Sequence, residues 1–252
     1  MKICFLISTY AERARDIKLP IESENISYVI VHQNYYNFIN KELYVRKDVV
    51  YILSDTIGLS ISRNIAIANS NGEISYILDD DVVIDYSSIG YIKDFFKSKK
   101  VDVAQFQVST VNGHFKKYKL NERRLGLLDL AKISSIEIAF RTDFVRKHGI
   151  LFPEDMGLGT NFPSGEEYVF LAHAYKKNAD IIFFPLTTVT HPPVSSGMDF
   201  FSNPNKLKAK KIMFSKAHGR ILGRLFYIAF LLKKLNIIIK NKAIKNVFLS
   251  FN

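Results

Sequence analysis

Three consecutive carboxylates, Asp79, Asp80 and Asp81, interrupt an apolar stretch of the chain: Ile77-Leu78 precedes them and Val82-Val83-Ile84 follows. Neighbouring carboxylates repel one another, and at the end of an apolar run they have no reason to be held together unless a cation sits among them. Hard oxygen ligands of this kind suit Mg²⁺ or Mn²⁺ carrying a phosphorylated substrate. The plainer alternative, a solvated turn, fits a polar loop better than this apolar setting. A second acidic pair, Glu166-Glu167, follows Gly165 and opens a helical pattern. The helix macrodipole favours carboxylates there, so capping alone would account for the pair. Arg63 reads equally as a phosphate ligand or as a surface arginine of a helix, and spacing does not choose between them. His173 falls in the apolar stripe after Glu167 and reads as a hydrogen-bonded core residue.

The elements that must hold these groups can be read from periodicity and punctuation. Residues 58–84 open with Gly58, a turn residue, and with Ser60 and Ser62, either of which can cap a helix. Ile61, Ile65 and Ala68 then form an apolar helical stripe, Asn71-Gly72 supplies a left-handed stop, and residues 74–78 form a strand that ends on the aspartates. Residues 2–7, 27–31 and 48–53 read as earlier strands, each followed by polar residues: Ser8-Thr9-Tyr10, His32-Gln33-Asn34 and Ser54-Asp55. Beyond the aspartates the pattern predicts a helix over 88–97 and a strand over 101–108 with one exposed face. A basic, unassigned stretch over 111–131 is followed by an apolar run at 135–140 and a short helix over 142–147. A Gly- and Pro-rich loop leads to the Glu166 helix, and a late strand over 181–184 precedes a second polar edge, Thr190-His191-Pro192-Pro193. Strands that alternate with helical segments and end in polar residues predict an α/β fold with a mixed, mostly parallel sheet and a cleft along one edge.

Composition narrows the possibilities. The chain has 252 residues, nearly half of them apolar, which is ample for a sizeable core. Its single cysteine, Cys4, lies in an apolar run and excludes both an intrachain disulfide and a multi-cysteine zinc site. There is no Gly-x-Gly-x-x-Gly dinucleotide loop and no Gly-Lys-Ser/Thr phosphate loop. The first apolar run is too short for a signal-peptide core and reads as a strand. Charge is unevenly placed: twelve Lys and Arg follow residue 200 and no Asp or Glu follows Asp199, so the body is near neutral and the tail is a cation.

The ISTY strand end, GLSISRNIAIANSNGEISYILDDD, FPEDMGLG and GEEYVFL occur in an order that resembles the family-2 glycosyltransferases of the GT-A fold, especially bacterial enzymes that build surface polysaccharides. The resemblance covers roughly residues 1–195. It implies a Rossmann-like GT-A catalytic domain over 1–199, with a nucleotide-binding half (1–100) and an acceptor half (101–199). The implied reaction is metal-dependent, inverting transfer of a hexosyl or N-acetylhexosaminyl group from a nucleotide sugar, first a UDP-sugar, to a hydroxyl of a glycan or lipid-linked glycan. Carried over by position, Thr9, Asp79 and Asp80 meet the donor, Arg63 helps to hold the nucleotide or its phosphates, and Asp81 ligates Mn²⁺ or Mg²⁺. His191 is a further metal ligand or diphosphate contact. Glu167 is the base, with Glu166 its partner or substitute, and Gly157 and Gly159 shape the acceptor or sugar loop. The chain departs from the family pattern twice: His32-Gln33 stands where Asp-Asp-Gly-Ser is common, and Glu166-Glu167 where Glu-Asp is common.

Residues 200–252 read as a basic amphipathic helical extension. Its longest apolar run is far below the roughly 20 residues that span a bilayer. Interleaved basic and apolar residues suit an anionic membrane surface, met through residues 205–252. The expected location is therefore cytoplasmic, on the inner face of the plasma membrane, and no nucleic acid is expected because no recognised motif accompanies the charge. The alternatives to a glycosyltransferase are a metal-dependent nucleotidyltransferase, for which Ser8-Thr9-Tyr10-Ala11 offers no phosphate loop, and a non-catalytic membrane- or nucleic-acid-binding protein. The latter would leave the acids of the body without a purpose.

Overall fold

Along the first strand, Cys4 and Leu6 enter one hydrophobic cluster while Ile3, Phe5 and Ile7 enter another. Apolar side chains shared between two faces at period two require a sheet covered on both sides. The computed structural model describes residues 1–192 and 203–251. Within them the strands are β1 (Ile3–Tyr10), β2 (Ile26–Gln33), β3 (Val49–Ser54), β4 (Ile74–Asp79), β5 (Val83–Ile84), β6 (Val103–Thr110), β7 (Gly113–His114), β8 (Arg123–Arg124), β9 (Ile138–Arg141) and β10 (Ile181–Thr190). They form one sheet in the order β3-β2-β1-β4-β9-β6-β10-β5, with β7 beside β6 and β8 beside β10. Strands β3, β2, β1 and β4 are parallel, β9 opposes both neighbours, and β10 runs parallel to β6. The α/β class and the mixed, mostly parallel sheet expected from the sequence are what the chain adopts.

The helices are α1 (Lys41–Tyr44), α2 (Leu59–Asn69), α3 (Ile89–Ser98), α4 (Leu127–Leu130), α5 (Thr142–Lys147), α6 (Glu166–Lys176), α7 (Pro204–His218), α8 (Arg220–Lys233), α9 (Leu235–Lys240) and α10 (Ile244–Leu249). Helix α3 covers one face with Ile89, Ile92, Phe95 and Phe96. Helices α2 and α6 cover the other, joined by the tail: Leu207, Met213 and Phe214 of α7 and Tyr227 and Leu231 of α8 belong to the same cluster. Among the described residues no helix is long and apolar enough to cross a membrane. The boundary expected at residues 199–200, like Pro193, lies outside the described residues.

Five local expectations are corrected. Helix α2 buries Ser60, Ser62, Arg63, Asn64, Ala66 and Ile67, whereas Ile61 and Ile65 are half-buried and Ala68 is exposed. Neither serine caps it: Gly58 occupies the N-cap with φ +126°, Ser60 Oγ donates to the Met156 carbonyl at 2.7 Å, and Ser62 Oγ donates to Ser8 Oγ at 2.8 Å. Gly72 is not a left-handed stop; the helix ends at Asn69, and Gly72 is required because a Cβ there would lie 2.6 Å from the Cys4 backbone nitrogen. Strand β6 is buried on both faces, its glutamines satisfied internally through Gln105 to Glu137 and Thr187 to Gln107. The late strand also runs on to Thr190, with register shifts on either side of Thr187. Pro185, which lacks the ladder N–H, lies within the first shift.

Because β2 and β3 lie to one side of β1, and β4 to the other, the chain reverses its strand order at the β1–β4 pair. Ser8 is in register with Asp79 there. A crevice opens at the carboxyl ends of strands at such a point.

Candidate active site

Each of the three aspartates has its own surroundings. Asp80 is buried: it accepts from Thr9 Oγ1 at 2.8 Å and from Arg13 Nε at 3.0 Å, and Arg13 Nη2 also pairs with it. Asp79 ends β4, and its Oδ1 is 3.5 Å from Arg63 Nη2. Burial raises the Asp79 pKa, Arg63 opposes that shift, and the charges of Asp81, Glu167 and Asp80 add to it. Asp81 is exposed to 39 %, against 35 % for the Asp79 side chain, with Arg13 Nη2 3.3 Å from its Oδ2 and His191 Nε2 3.6 Å from its Oδ1. His191 is held by its backbone N–H, which donates to the Ser109 carbonyl at 2.9 Å. Its Nδ1 donates to the Pro192 carbonyl at 2.5 Å, and Nε2 is the ring nitrogen that faces Asp81.

Arg63 is not a surface arginine. Its guanidinium is buried over the Phe152 ring, 5.3 Å from the centroid. Nη1 lies 2.9 Å from Glu166 Oε1 and 3.7 Å from Glu167 Oε1. Burial opposes its charge, but Glu166, Glu167 and Asp79 overcome that and raise its pKa above the ordinary arginine value. One cation therefore joins the aspartate edge to the glutamate pair.

The two glutamates have different surroundings. The Glu166 side chain is 4 % exposed and lies under the Gly157 loop, where a Cβ on Gly157 would come 3.3 Å from its Cδ. Glu166 Oε2 and Arg63 Nε have no hydrogen-bond partner among the described residues. The Glu167 side chain is 20 % exposed. Desolvation and the neighbouring Glu166 charge push its pKa up to about 7, with Arg63 restraining the rise. A carboxyl poised near neutrality and open to a cleft suits proton abstraction at physiological pH.

The polar face of α2 explains how the pair is held. Leu59 N donates to the Leu158 carbonyl at 2.9 Å, and Asn64 exchanges two 2.9 Å bonds with the backbone of Phe152. These bonds, with Ser60 to Met156, fix residues 152–158 against the helix. Gly157 (φ +94°) and Gly159 (φ +83°) adopt the left-handed conformations that the turn needs. From the other side, Met213 of α7 packs on Gly165 so closely that a Cβ would meet its side chain at 2.9 Å. Lys210 Nζ lies 3.4 Å from Met213 Sδ; burial lowers its pKa, and Glu167 and Glu166 pull it back up. Tyr168 OH bonds His218 Nε2 at 2.7 Å, and Lys216 pairs with Asp155 at 3.0 Å. His173, in the same helix, is half-buried and hydrogen-bonded by the Lys216 backbone, which fits the role expected of it.

At the ends of β2 and β3, both His32 ring nitrogens are engaged, Nδ1 with Tyr51 OH at 2.9 Å and Nε2 with the Ala11 carbonyl at 2.7 Å. Gln33 Nε2 donates to Thr56 Oγ1 at 3.0 Å and to the Gly58 carbonyl at 3.2 Å, which leaves Oε1 as an acceptor at the strand end. Thr9, Arg63, Asp79, Asp80, Asp81, Glu166, Glu167 and His191 are thus brought together at the carboxyl ends of β1 and β4. Asp79, Asp81, His191 and Glu167 offer atoms there not already committed to internal hydrogen bonds. Arg13 and Lys210 were not singled out in the sequence. Arg13 stands four residues after Thr9 in a polar stretch, a weak signal, and Lys210 is hidden in a run of lysines.

Five carboxylates, Asp79, Asp80, Asp81, Glu166 and Glu167, meet two guanidiniums here. Even with the Lys210 ammonium nearby this edge is net negative, and a diphosphate that arrives with a cation suits it better than a bare one. Among the described residues no group of three His, Cys, Asp or Glu is arranged as a cage for a metal ion. The donor set instead suits an ion that takes one or two protein ligands and completes its shell with water and substrate phosphate.

A model of the family described as glycosyl transferase family 2 matches residues 36–164, just over half of the chain. No curated protein matches. Among solved structures, Staphylococcus aureus TarS 1-349 in complex with UDP is similar with a TM-score of 0.66 at 18% identity, over 94% of this chain and 72% of that one. The same fragment with UDP-GlcNAc has a TM-score of 0.64 at 18% identity, over 86% and 66%. The structure titled S. aureus TarS has a TM-score of 0.62 at 19% identity, over 86% of this chain and 40% of that one, so this chain spans less than half of that relative's length. The matched segment runs from the end of β2 through the aspartates to the threshold of Glu166, and by that match the chain belongs to glycosyl transferase family 2.

Proposed function

We propose that this chain transfers a sugar from a nucleotide-sugar donor, first a UDP-sugar, to a hydroxyl of a glycan or lipid-linked glycan, with inversion at the anomeric carbon, in the synthesis of a bacterial surface polysaccharide. The observation that carries this reading is the position of Arg63, which is 3.5 Å from Asp79 on the donor side and 3.7 Å from Glu167 on the other. Displacement at a sugar carbon needs a leaving phosphate on one side and a base on the other, and both would border the same crevice. Glu167 takes the acceptor proton; Glu166 and Arg63 orient it. Asp81 and His191 would hold Mn²⁺ or Mg²⁺, and the ion would supply Lewis-acid stabilisation of the leaving diphosphate. Thr9 and Asp80 brace the edge together with Arg13, and Arg63 reaches the nucleotide through Asp79. Gln33 Oε1 offers an acceptor to the imide N–H of uracil, a role an acid fills in the common family pattern.

The test is a panel of nucleotide sugars with Mn²⁺ or Mg²⁺, scored for thermal stabilisation and donor hydrolysis. One or more UDP-sugars should stabilise the protein only with a divalent ion present. Stabilisation by no nucleotide sugar, or equal stabilisation in excess chelator, would contradict the reading.

A second reading concerns the tail: residues 205–252 attach the protein to an anionic membrane surface, on the cytoplasmic side where nucleotide sugars are made. It is favoured by the outer face of α8, where Ile221 (81 % exposed), Leu225, Ile228 and Leu232 recur at helical spacing and face solvent among basic residues.

A further inference from the structure

On the same helix, Arg224 joins α10 and Phe251 in lining an open groove of about 720 Å³. Its walls are apolar, from Ile244, Val247, Phe248 and Phe251, and Arg224 and Lys245 also line it. Phe248 is 71 % exposed, although it is a large aromatic side chain. Helix α7 brings two more cations to the same end. Lys211 Nζ donates to the Phe251 carbonyl at 3.0 Å and lies 6.0 Å from the centroid of its ring. Burial lowers the Lys211 pKa, and the charges of Lys208 and Arg224 lower it again. Arg224 and Lys245 thus line the groove, Lys211 and Lys208 stand beside it, and among the described residues no carboxylate pairs with any of them. No Asp or Glu occurs in the sequence after Asp199. Like charges brought together without a counterion await an anion from outside. A free phosphate would answer the cations but leave the apolar walls wet. A nucleic acid would have little to stack on beyond two phenylalanines.

We infer that the α8–α10 groove is a binding site for a single anionic phospholipid, which lays an acyl chain against Val247, Phe248 and Phe251 and its phosphate among Lys211, Arg224 and Lys245. The site rests on the membrane reading of the tail and is independent of the chemistry at Glu167. The row Ile221, Leu225 and Leu232 would lie in the headgroup region while the groove takes one lipid out of the leaflet.

The chain contains no tryptophan, so Phe248→Trp creates a lone reporter. In the full chain carrying it, phosphatidylglycerol vesicles with brominated acyl chains should blue-shift and quench the emission, and phosphatidylcholine vesicles should not. Arg224→Glu with Lys245→Glu should weaken vesicle binding at least about tenfold, and more than the equal charge change Lys240→Glu with Lys242→Glu. If the protein fails to float with phosphatidylglycerol vesicles, the membrane reading and this site fall together. If it floats but Trp emission is not quenched, or both charge-reversal pairs weaken binding equally, the groove site is overturned and membrane attachment survives. An emission change of the same size with inorganic phosphate alone would make this a site for free phosphate and would also overturn the inference.

Discussion

The aspartate edge and the glutamate pair are both clusters of carboxylates, yet they manage their charge in opposite ways. At the edge, Asp80 is braced by Thr9 and Arg13, while Asp81 stays in reach of solvent beside His191. Its excess charge can be met by an ion from solution. At the start of α6 the charge is enclosed: Arg63 is the cation in contact, Gly157 closes over Glu166, and Glu167 keeps its proton to an unusually high pH. In the proposed reaction one cluster would receive a cation and the other a proton. Donor activation and acceptor deprotonation are the two tasks of an inverting transfer.

The sharpest way to break the comparison is to remove a group from one side only. Asp81→Ala should lower turnover by about 10³-fold or more and abolish the metal-linked thermal shift by nucleotide, read by donor hydrolysis and a melting curve. A variant that keeps its metal response would show that the edge does not receive the ion. Arg63→Ala removes the link itself. It leaves buried carboxylates uncompensated, so unfolding in urea should show a loss of about 3–5 kcal/mol. A loss below about 1 kcal/mol would mean that the buried pairs are not what holds α2 against α6.

Finer effects follow from the enclosed proton. With the Glu167 carboxyl near 7, transfer should rise about tenfold per unit as pH approaches 7 from below and then level off. A raised carboxyl pKa also means that the folded state binds more protons than the unfolded one between the ordinary glutamate value and about 7, so stability should fall with rising pH across that window. Lys210 should have the smallest effect. Its charge lies near the pair and favours the Glu167 carboxylate, so Lys210→Met should move the acid limb of the pH–rate profile upward by about one unit or less, with Lys210→Arg restoring it. An unmoved limb would restrict Lys210 to packing against Met213.

Much of the first cluster was legible in the sequence because an apolar strand that ends on three acids breaks a simple pattern. The sheet was legible for the same reason, since runs such as 3–7 and 27–31 have no other use. Helix α2 was misread because periodicity finds apolar stripes, whereas its buried face is polar. Ser60 and Asn64 are buried through bonds to the loop at Phe152 and Met156, and Arg63 through its bond to Glu166 of α6, partners 88 to 103 residues away in sequence. Gly72 was misread because a close backbone approach and a left-handed turn favour the same residue. Lys210 was invisible among the tail's many lysines, since only the packing of Met213 on Gly165 brings it toward the glutamates.

The division of labour between the clusters is tested most directly in Glu167→Gln, by measuring donor affinity by calorimetry and transfer in a single turnover on the same protein. Donor affinity within about twofold of the wild type, with transfer reduced by about 10²–10⁴-fold, is the predicted result. Unimpaired transfer, or loss of donor binding in step with transfer, would contradict it.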